Sequence, residues 1–155
     1  MARTVVYNAL LMKKLDIHKT ALPWSTFTDP EIATVGKTEQ QLREEGIRFT
    51  IYKRDFSQMD RAICDGANKG FVKVLTKEGK PDILGATFVG GPAGDMISQI
   101  TMGMVNGLNL SHTGSGVSPY PSYADGIKNL TDQFNRTKLT PFVSGLLNTI
   151  IKIRR

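Results

Sequence analysis

Apolar positions along this chain repeat at short intervals as far as residue 89 and at helical intervals from residue 96 onward. Residues 22–28 mix apolar, aromatic and β-branched side chains, a composition that suits a strand, and Asp29-Pro30 punctuates its end. Ile47, Phe49 and Ile51 alternate with Arg48, Thr50 and Tyr52, the pattern of a strand with one face buried. Residues 70–76 and 83–89 give two more strands. Lys77-Glu78-Gly79-Lys80 between them is a hairpin-type connection, so this pair is expected to be antiparallel. Thr4-Val5-Val6-Tyr7 is β-branched and short, which suits a strand or an extended arm, and residues 13–20 form a polar connector.

Helical signals begin with Thr38-Glu39-Gln40-Gln41, a capping box in which Thr38 and Gln41 satisfy each other's backbone amides. The short helix it opens runs through Glu45 and stops at Gly46. Residues 59–65 form a turn or a single helical turn. Met96, Ile100, Met104 and Val105, with Leu108, recur at helical spacing, and Met96, Met102 and Met104 are expected to pack the core. A second helix spans residues 122–137. A third starts at Pro141, a residue favoured in a first turn because its missing N–H has no intrahelical partner there. The elements sum to an α+β fold: a small, mostly antiparallel sheet with helices packed on one side. Residues 1–20 are assigned to an N-terminal arm and residues 21–155 to one domain, a size that can bury a real core.

Composition narrows the function classes. No apolar run approaches the roughly 18–20 residues that span a bilayer, and the N-terminus shows no signal-peptide segment. Cys64 is the only cysteine, which excludes an internal disulfide. In the apolar setting Ala62-Ile63-Cys64 it reads as a small buried hydrophobe, and a cytoplasmic or other reducing intracellular compartment is expected. The net charge of +6 is compatible with an anionic partner, but the Lys and Arg residues are scattered and no recognition motif accompanies them, so nucleic acid is not expected. His18 and His112 lack metal-ligand spacing and are assigned to the surface, and no metal site is expected. Gly90-Gly91-Pro92-Ala93-Gly94 lies between a strand and a helix but lacks the phosphate-binding spacings. It reads as a tight turn with close backbone approach, and Asp95 complements the helix dipole after it.

The segment Pro119-Tyr120-Pro121-Ser122-Tyr123-Ala124-Asp125 places a phenol and a carboxylate five residues apart at a helix entrance. Local chemistry makes Ser122 the N-cap and Asp125 the third helical residue. This run resembles the C-terminal dimerisation domain of the pyridine nucleotide-disulfide oxidoreductases, above all the mercuric-reductase-like and dihydrolipoamide-dehydrogenase-like members. The resemblance also rests on Val5-Val6-Tyr7-Asn8-Ala9-Leu10, Thr28-Asp29-Pro30-Glu31-Ile32-Ala33, Asp60-Arg61-Ala62, Gly70-Phe71-Val72-Lys73-Val74 and Asn135-Arg136-Thr137. It implies an interface domain that forms a homodimer and sends its C-terminal motif into the partner's active site. FAD and NAD(P) would be held by other domains of the parent enzyme, and no cofactor is expected on this chain alone. Tyr120 and Asp125 fall at the catalytic positions, and Tyr120 with Pro121 against the cofactor. Ser118 stands where close relatives have His. A phenol with a pKa near 10 is a donor rather than a base at neutral pH, so hydrogen bonding or thiolate stabilisation suits Tyr120.

A different class of function rests on residues 142–155. Phe142, Leu146, Ile150 and Ile153 share a helical face and are followed by Arg154 and Arg155. Such a helix suits an anionic membrane surface, and would make the chain a stand-alone interaction or membrane-surface module.

Overall fold

In the computed structural model, which describes residues 2–12, 14, 16, 17 and 20–153, five strands form a single sheet. They are β1 (Pro23–Thr26), β2 (Ile32–Gly36), β3 (Phe49–Asp55), β4 (Phe71–Lys77) and β5 (Ile83–Val89). The order is β1-β2-β5-β4-β3, and every neighbouring pair is antiparallel. The helices are α1 (Ala2–Leu10), α2 (Glu39–Glu44), α3 (Asp60–Cys64), α4 (Ala93–Val105), α5 (Leu110–Thr113), α6 (Asp125–Thr137) and α7 (Pro141–Ile153). This is the α+β architecture expected.

The register sorts side chains into two faces. Ser25, Ala33, Phe88, Val72 and Arg54 lie opposite one another across the five strands, and Trp24, Thr34, Thr87, Lys73 and Lys53 form the adjacent row. Successive strand residues point to opposite faces, so these rows belong to different sides of the sheet. The first side is the core. Ala33, Val35, Tyr52, Val72, Val74, Ala86 and Phe88 pack there with Met96, Ile97 and Ile100 of α4 and Ile127, Leu130 and Phe134 of α6. Helix α4 lies against β1, β2 and β5, and α6 against β3 and β4. Each fully buried Val, Leu, Ile or Phe is worth about 1.5–3 kcal/mol, which fixes the faces, because a one-residue slip would expose the whole inner row. The outer face is mixed. Trp24 and Ile32 are exposed there, while Lys73 pairs with Glu39 of α2 at 2.7 Å and Arg43 lies over the Phe49 ring.

Local signals explain most ends. Thr38 accepts from the Gln41 amide at 3.3 Å and its own amide donates to the Gln41 side chain at 2.9 Å, completing the capping box. Gly46 follows α2 with φ +67°, a left-handed conformation that glycine adopts without steric cost. Gly90 has φ +120°, and a Cβ there would stand 2.4 Å from the Phe56 ring, so backbone and core ring meet where only glycine fits.

The structure corrects several local readings. Residues 4–7 lie inside α1, because Ala2, Ala9 and Leu10 around them favour helix more than the short β-branched run favours a strand. Strand β2 was not foreseen: the run opened at residue 22 stops at Thr26, and Phe27–Glu31 turns the chain into a hairpin with β2. Helix α5 was also missed. Strand β3 keeps its alternation but buries Tyr52, whose ring meets Phe134 edge-on at 5.9 Å, and leaves Ile51 on the outer face. Cys64 is exposed, not buried: Ala62 fills the core, and two residues further on a helix has turned about 200° away. Met102 is exposed for the same reason, on the side of α4 opposite Ile100, whereas Met96 and Met104 pack as expected. His112 is exposed. His18, Arg154 and Arg155 and the Leu146 side chain lie outside the described residues.

Candidate functional site

Two phenols of the 119–125 segment are tied to opposite ends of α3. The Tyr120 hydroxyl donates to Asp60 in a short hydrogen bond, and the Tyr123 hydroxyl donates to Asp65 at 3.0 Å. Asp65 is held in turn by Arg61 one turn away, at 2.8 and 2.9 Å. Tyr123 packs on Phe56 with ring centroids 5.3 Å apart, and its ring lies over Gly91 of the strand-to-helix turn. Tyr123 is thus the anchor of the segment, and Tyr120 is its outward tip, 73% exposed.

Helix α6 begins differently from the sequence expectation. Ser122 does not cap it: its hydroxyl is buried without a partner, and the N-cap position is Ala124. The amides of Asp125, Gly126 and Ile127 instead bond to the carbonyls of Ser122, Tyr123 and Ala124 at 3.3, 3.0 and 3.0 Å. A tight turn therefore satisfies the amides that a capping side chain would have taken. Asp125 sits in the first turn of α6, and its carboxylate accepts from Asn129 at 2.9 Å.

Asp125 and Tyr120 share no hydrogen bond, although the Asp125 charge is felt at the phenol. The Tyr120 ionisation is raised, first by the hydrogen bond to Asp60, then by the Asp60 charge, with smaller contributions from Asp125 and Cys64. Tyr123 is raised mainly by burial, then by its bond to Asp65, with Arg61 opposing. Both phenols therefore keep their protons at neutral pH and act as donors. Any further acceptor brought against Tyr120 would compete with Asp60 for a single proton. Pro121 is exposed next to Tyr120, so this pair can line one wall of a site completed by another body.

Beside the motif runs an open groove. Met102, Leu108 and Val117 line it together with His112 and Lys128. These three apolar side chains are 62%, 45% and 100% exposed, a concentration of unburied hydrophobic surface in a groove that Ser118 and Ala124 of the neighbouring segment also line. His112 is oriented by Asn109, whose amide donates to His112 Nδ1 at 3.3 Å. Among the described residues, no group of three His, Cys, Asp or Glu could hold a metal ion.

Asp60 and Asp65 were not singled out as site residues, although Asp60-Arg61-Ala62 carried part of the family resemblance. Their partners lie roughly sixty residues away, and no local pattern encodes such a pairing.

Residues 22–131 match the family described as pyridine nucleotide-disulphide oxidoreductase, dimerisation domain. The mitochondrial dihydrolipoyl dehydrogenase of Caenorhabditis elegans is 31% identical over 134 residues, covering 86% of this chain and 26% of that protein. A mercuric reductase of Streptomyces lividans is 34% identical over 124 residues, covering 80% of this chain and 26% of that protein. Among solved structures, the HOCl-induced flavoprotein disulfide reductase RclA from Escherichia coli matches with a TM-score of 0.76 and 25% identity, covering 84% of this chain and 30% of that one. The chain thus spans about a quarter of the length of the curated relatives it matches.

Proposed function

Because the chain belongs to the pyridine nucleotide-disulphide oxidoreductase dimerisation-domain family, we propose that it pairs with a second copy of itself and lends Tyr120 to the partner subunit's active site. The parent enzyme would hold FAD and NAD(P) on domains outside this chain. Bound flavin there supplies the passage of electrons from the nicotinamide to a cysteine pair. Tyr120 would donate its proton toward the sulfur or the flavin edge, Pro121 would pack beside it, and Asp125 would bias the phenol through its charge.

The observation that carries this reading is the exposed, pre-oriented phenol. Tyr120 is 73% exposed, yet its hydroxyl is fixed by Asp60 and its segment is fixed by Tyr123. A side chain ordered before association loses less entropy when a partner arrives. The Met102, Leu108 and Val117 groove beside it supplies apolar surface for that partner, and an isologous contact would repeat the same patch on both copies.

Light scattering on the size-separated chain tests the pairing. A mass of about twice 17.1 kDa is expected, with Met102→Glu giving a folded monomer. A wild-type monomer at all concentrations would overturn self-pairing through this surface. In the intact parent enzyme, Tyr120→Phe should slow turnover with the disulfide or thiol substrate while leaving flavin reduction by nicotinamide unchanged. Wild-type turnover in that variant would remove Tyr120 from the chemistry.

A further inference from the structure

Among the described residues, helix α7 contributes none to the core cluster, and it lies beyond residues 22–131, the stretch that matches the family. At about 100° per residue, Phe142, Val143, Ile150, Ile151 and Ile153 fall within one half of its circumference, and Gly145, Thr149 and Lys152 within the other. Of the apolar set, Phe142 is 81% exposed and Ile153 79%. Among the described residues, Phe142, Ile150, Ile151 and Ile153 are thus apolar side chains of that half left exposed by the fold.

Charge indicates what covers it. Five of the twenty Lys and Arg residues, and none of the fourteen Asp and Glu, lie in residues 133–155. That tail carries +5, and residues 1–132 together carry only +1. The basic character of the chain is thus almost wholly a property of the segment that holds α7. Pairing this helix with its own copy would bring two strongly positive tails together, and the remainder of the chain carries no net negative charge to draw it. Thirteen residues rise only about 20 Å, short of the roughly 30 Å hydrocarbon layer, so such a helix lies along a bilayer and does not cross it.

We propose that α7 is a membrane-surface helix that seats its apolar half on an anionic lipid bilayer. The exposed isoleucines and Phe142 enter the boundary between headgroups and acyl chains. Lys152 and the neighbouring basic residues are drawn to the negative surface. The inference is independent of the pairing surface at Met102 and of the role of Tyr120.

Co-sedimentation of the full chain with vesicles tests it. The chain should pellet with mixed phosphatidylserine–phosphatidylcholine vesicles, remain in solution with pure phosphatidylcholine, and be released at about 1 M salt, where the Debye length falls to about 3 Å. The combined variant Ile150→Ser, Ile151→Ser, Ile153→Ser should abolish pelleting while keeping the wild-type melting temperature and light-scattering mass. Lys152→Glu should weaken the partition about 25-fold, from about fivefold for each unit of charge near an anionic surface. Failure to pellet, equal pelleting with neutral vesicles, or pelleting retained by the triple variant would each overturn the proposal. So would a triple variant that turns a dimer into a monomer, since the face would then be covered by a second copy.

Discussion

Gly114, at the C-terminus of α5, has no room for a side chain. A Cβ there would lie 2.0 Å from Thr131 Oγ1, 2.5 Å from Thr131 Cβ and 3.2 Å from its methyl. Its φ of −103° is open to any residue, so the cost of Gly114→Ala is steric and not conformational. Thr131 cannot yield easily: it is 3% exposed, and its hydroxyl donates to the Leu110 carbonyl at 2.7 Å. Overpacking costs about 1–3 kcal/mol and loss of a buried hydrogen bond about 1–3 kcal/mol, so about 3 kcal/mol is expected for the variant. For a chain of this size that lowers the melting temperature by about 6–12 °C. Thr131→Ala alone should cost about 1 kcal/mol, because Leu110 still accepts from Thr113 at 3.1 Å. The double variant should be more stable than the sum of the singles by about 1 kcal/mol, since the closest contact disappears while the one to Cβ remains. Urea and thermal unfolding of the four proteins measure this cycle. A Gly114→Ala protein within about 0.5 kcal/mol of wild type, or strict additivity in the cycle, would refute the reasoning.

Three further outcomes follow from other contacts. Glu31 accepts from the Gly94 amide at 2.9 Å and replaces the cap that Pro92 cannot supply, so Glu31→Ala should cost about 1–2 kcal/mol and Glu31→Gln about half as much; a melting curve superimposable on wild type would disprove that capping role. Asp60→Asn should bring the Tyr120 ionisation down toward the ordinary phenol value, seen as an earlier phenolate band in an ultraviolet difference titration against Tyr120→Phe. Because the raised phenol keeps its proton in the folded state, its contribution to stability is complete below about pH 10 and is lost as pH rises through the folded value. Asp60→Asn should narrow that loss, and an unchanged titration would mean the hydrogen bond does not form in solution. Glu39 is lowered chiefly by its hydrogen bond from Lys73, so its contribution is present above the ordinary value of 4.5 and disappears as pH falls through the depressed one. Lys73→Met should flatten that acid limb of the stability profile, and an identical limb would count against the pair.

Legibility in the sequence tracked how local each determinant was. The capping box at Thr38 and the hairpin across residues 77–80 are complete within a few residues, and both formed as read. Strand β2 was invisible because Ile32-Ala33-Thr34-Val35 is short and weakly patterned, and its place between β1 and β5 is set by pairing on both sides. The orientation of β3 was hidden for a related reason. Ile51 and Tyr52 are both credible core residues, and the choice falls to Tyr52 because Phe134 of α6 stands ready to meet its ring. Cys64 was misplaced because apolar neighbours in sequence say nothing about which side of a single helical turn faces the sheet.

The candidate site shows the same limit in its chemistry. Sequence proximity paired Tyr120 with Asp125, five residues on, but a carboxylate in the first turn of a helix is within reach of the side chain four residues later, and Asn129 takes it at 2.9 Å. The phenol is then free to find a carboxylate on another element, and α3 offers two, spaced to receive Tyr120 at one end and Tyr123 at the other. This double tether has a consequence for which substitution disturbs the motif most. Asp125→Asn leaves the Tyr120–Asp60 bond in place and removes only a distant charge. Asp60→Asn replaces a charged acceptor of the phenol's proton with a weaker neutral one, so more of the ordering of Tyr120 falls to whatever body approaches it, at the entropic cost that the folded domain otherwise meets in advance. Asp60, a residue no local pattern connects to Tyr120, is therefore the stronger control on how this phenol is presented.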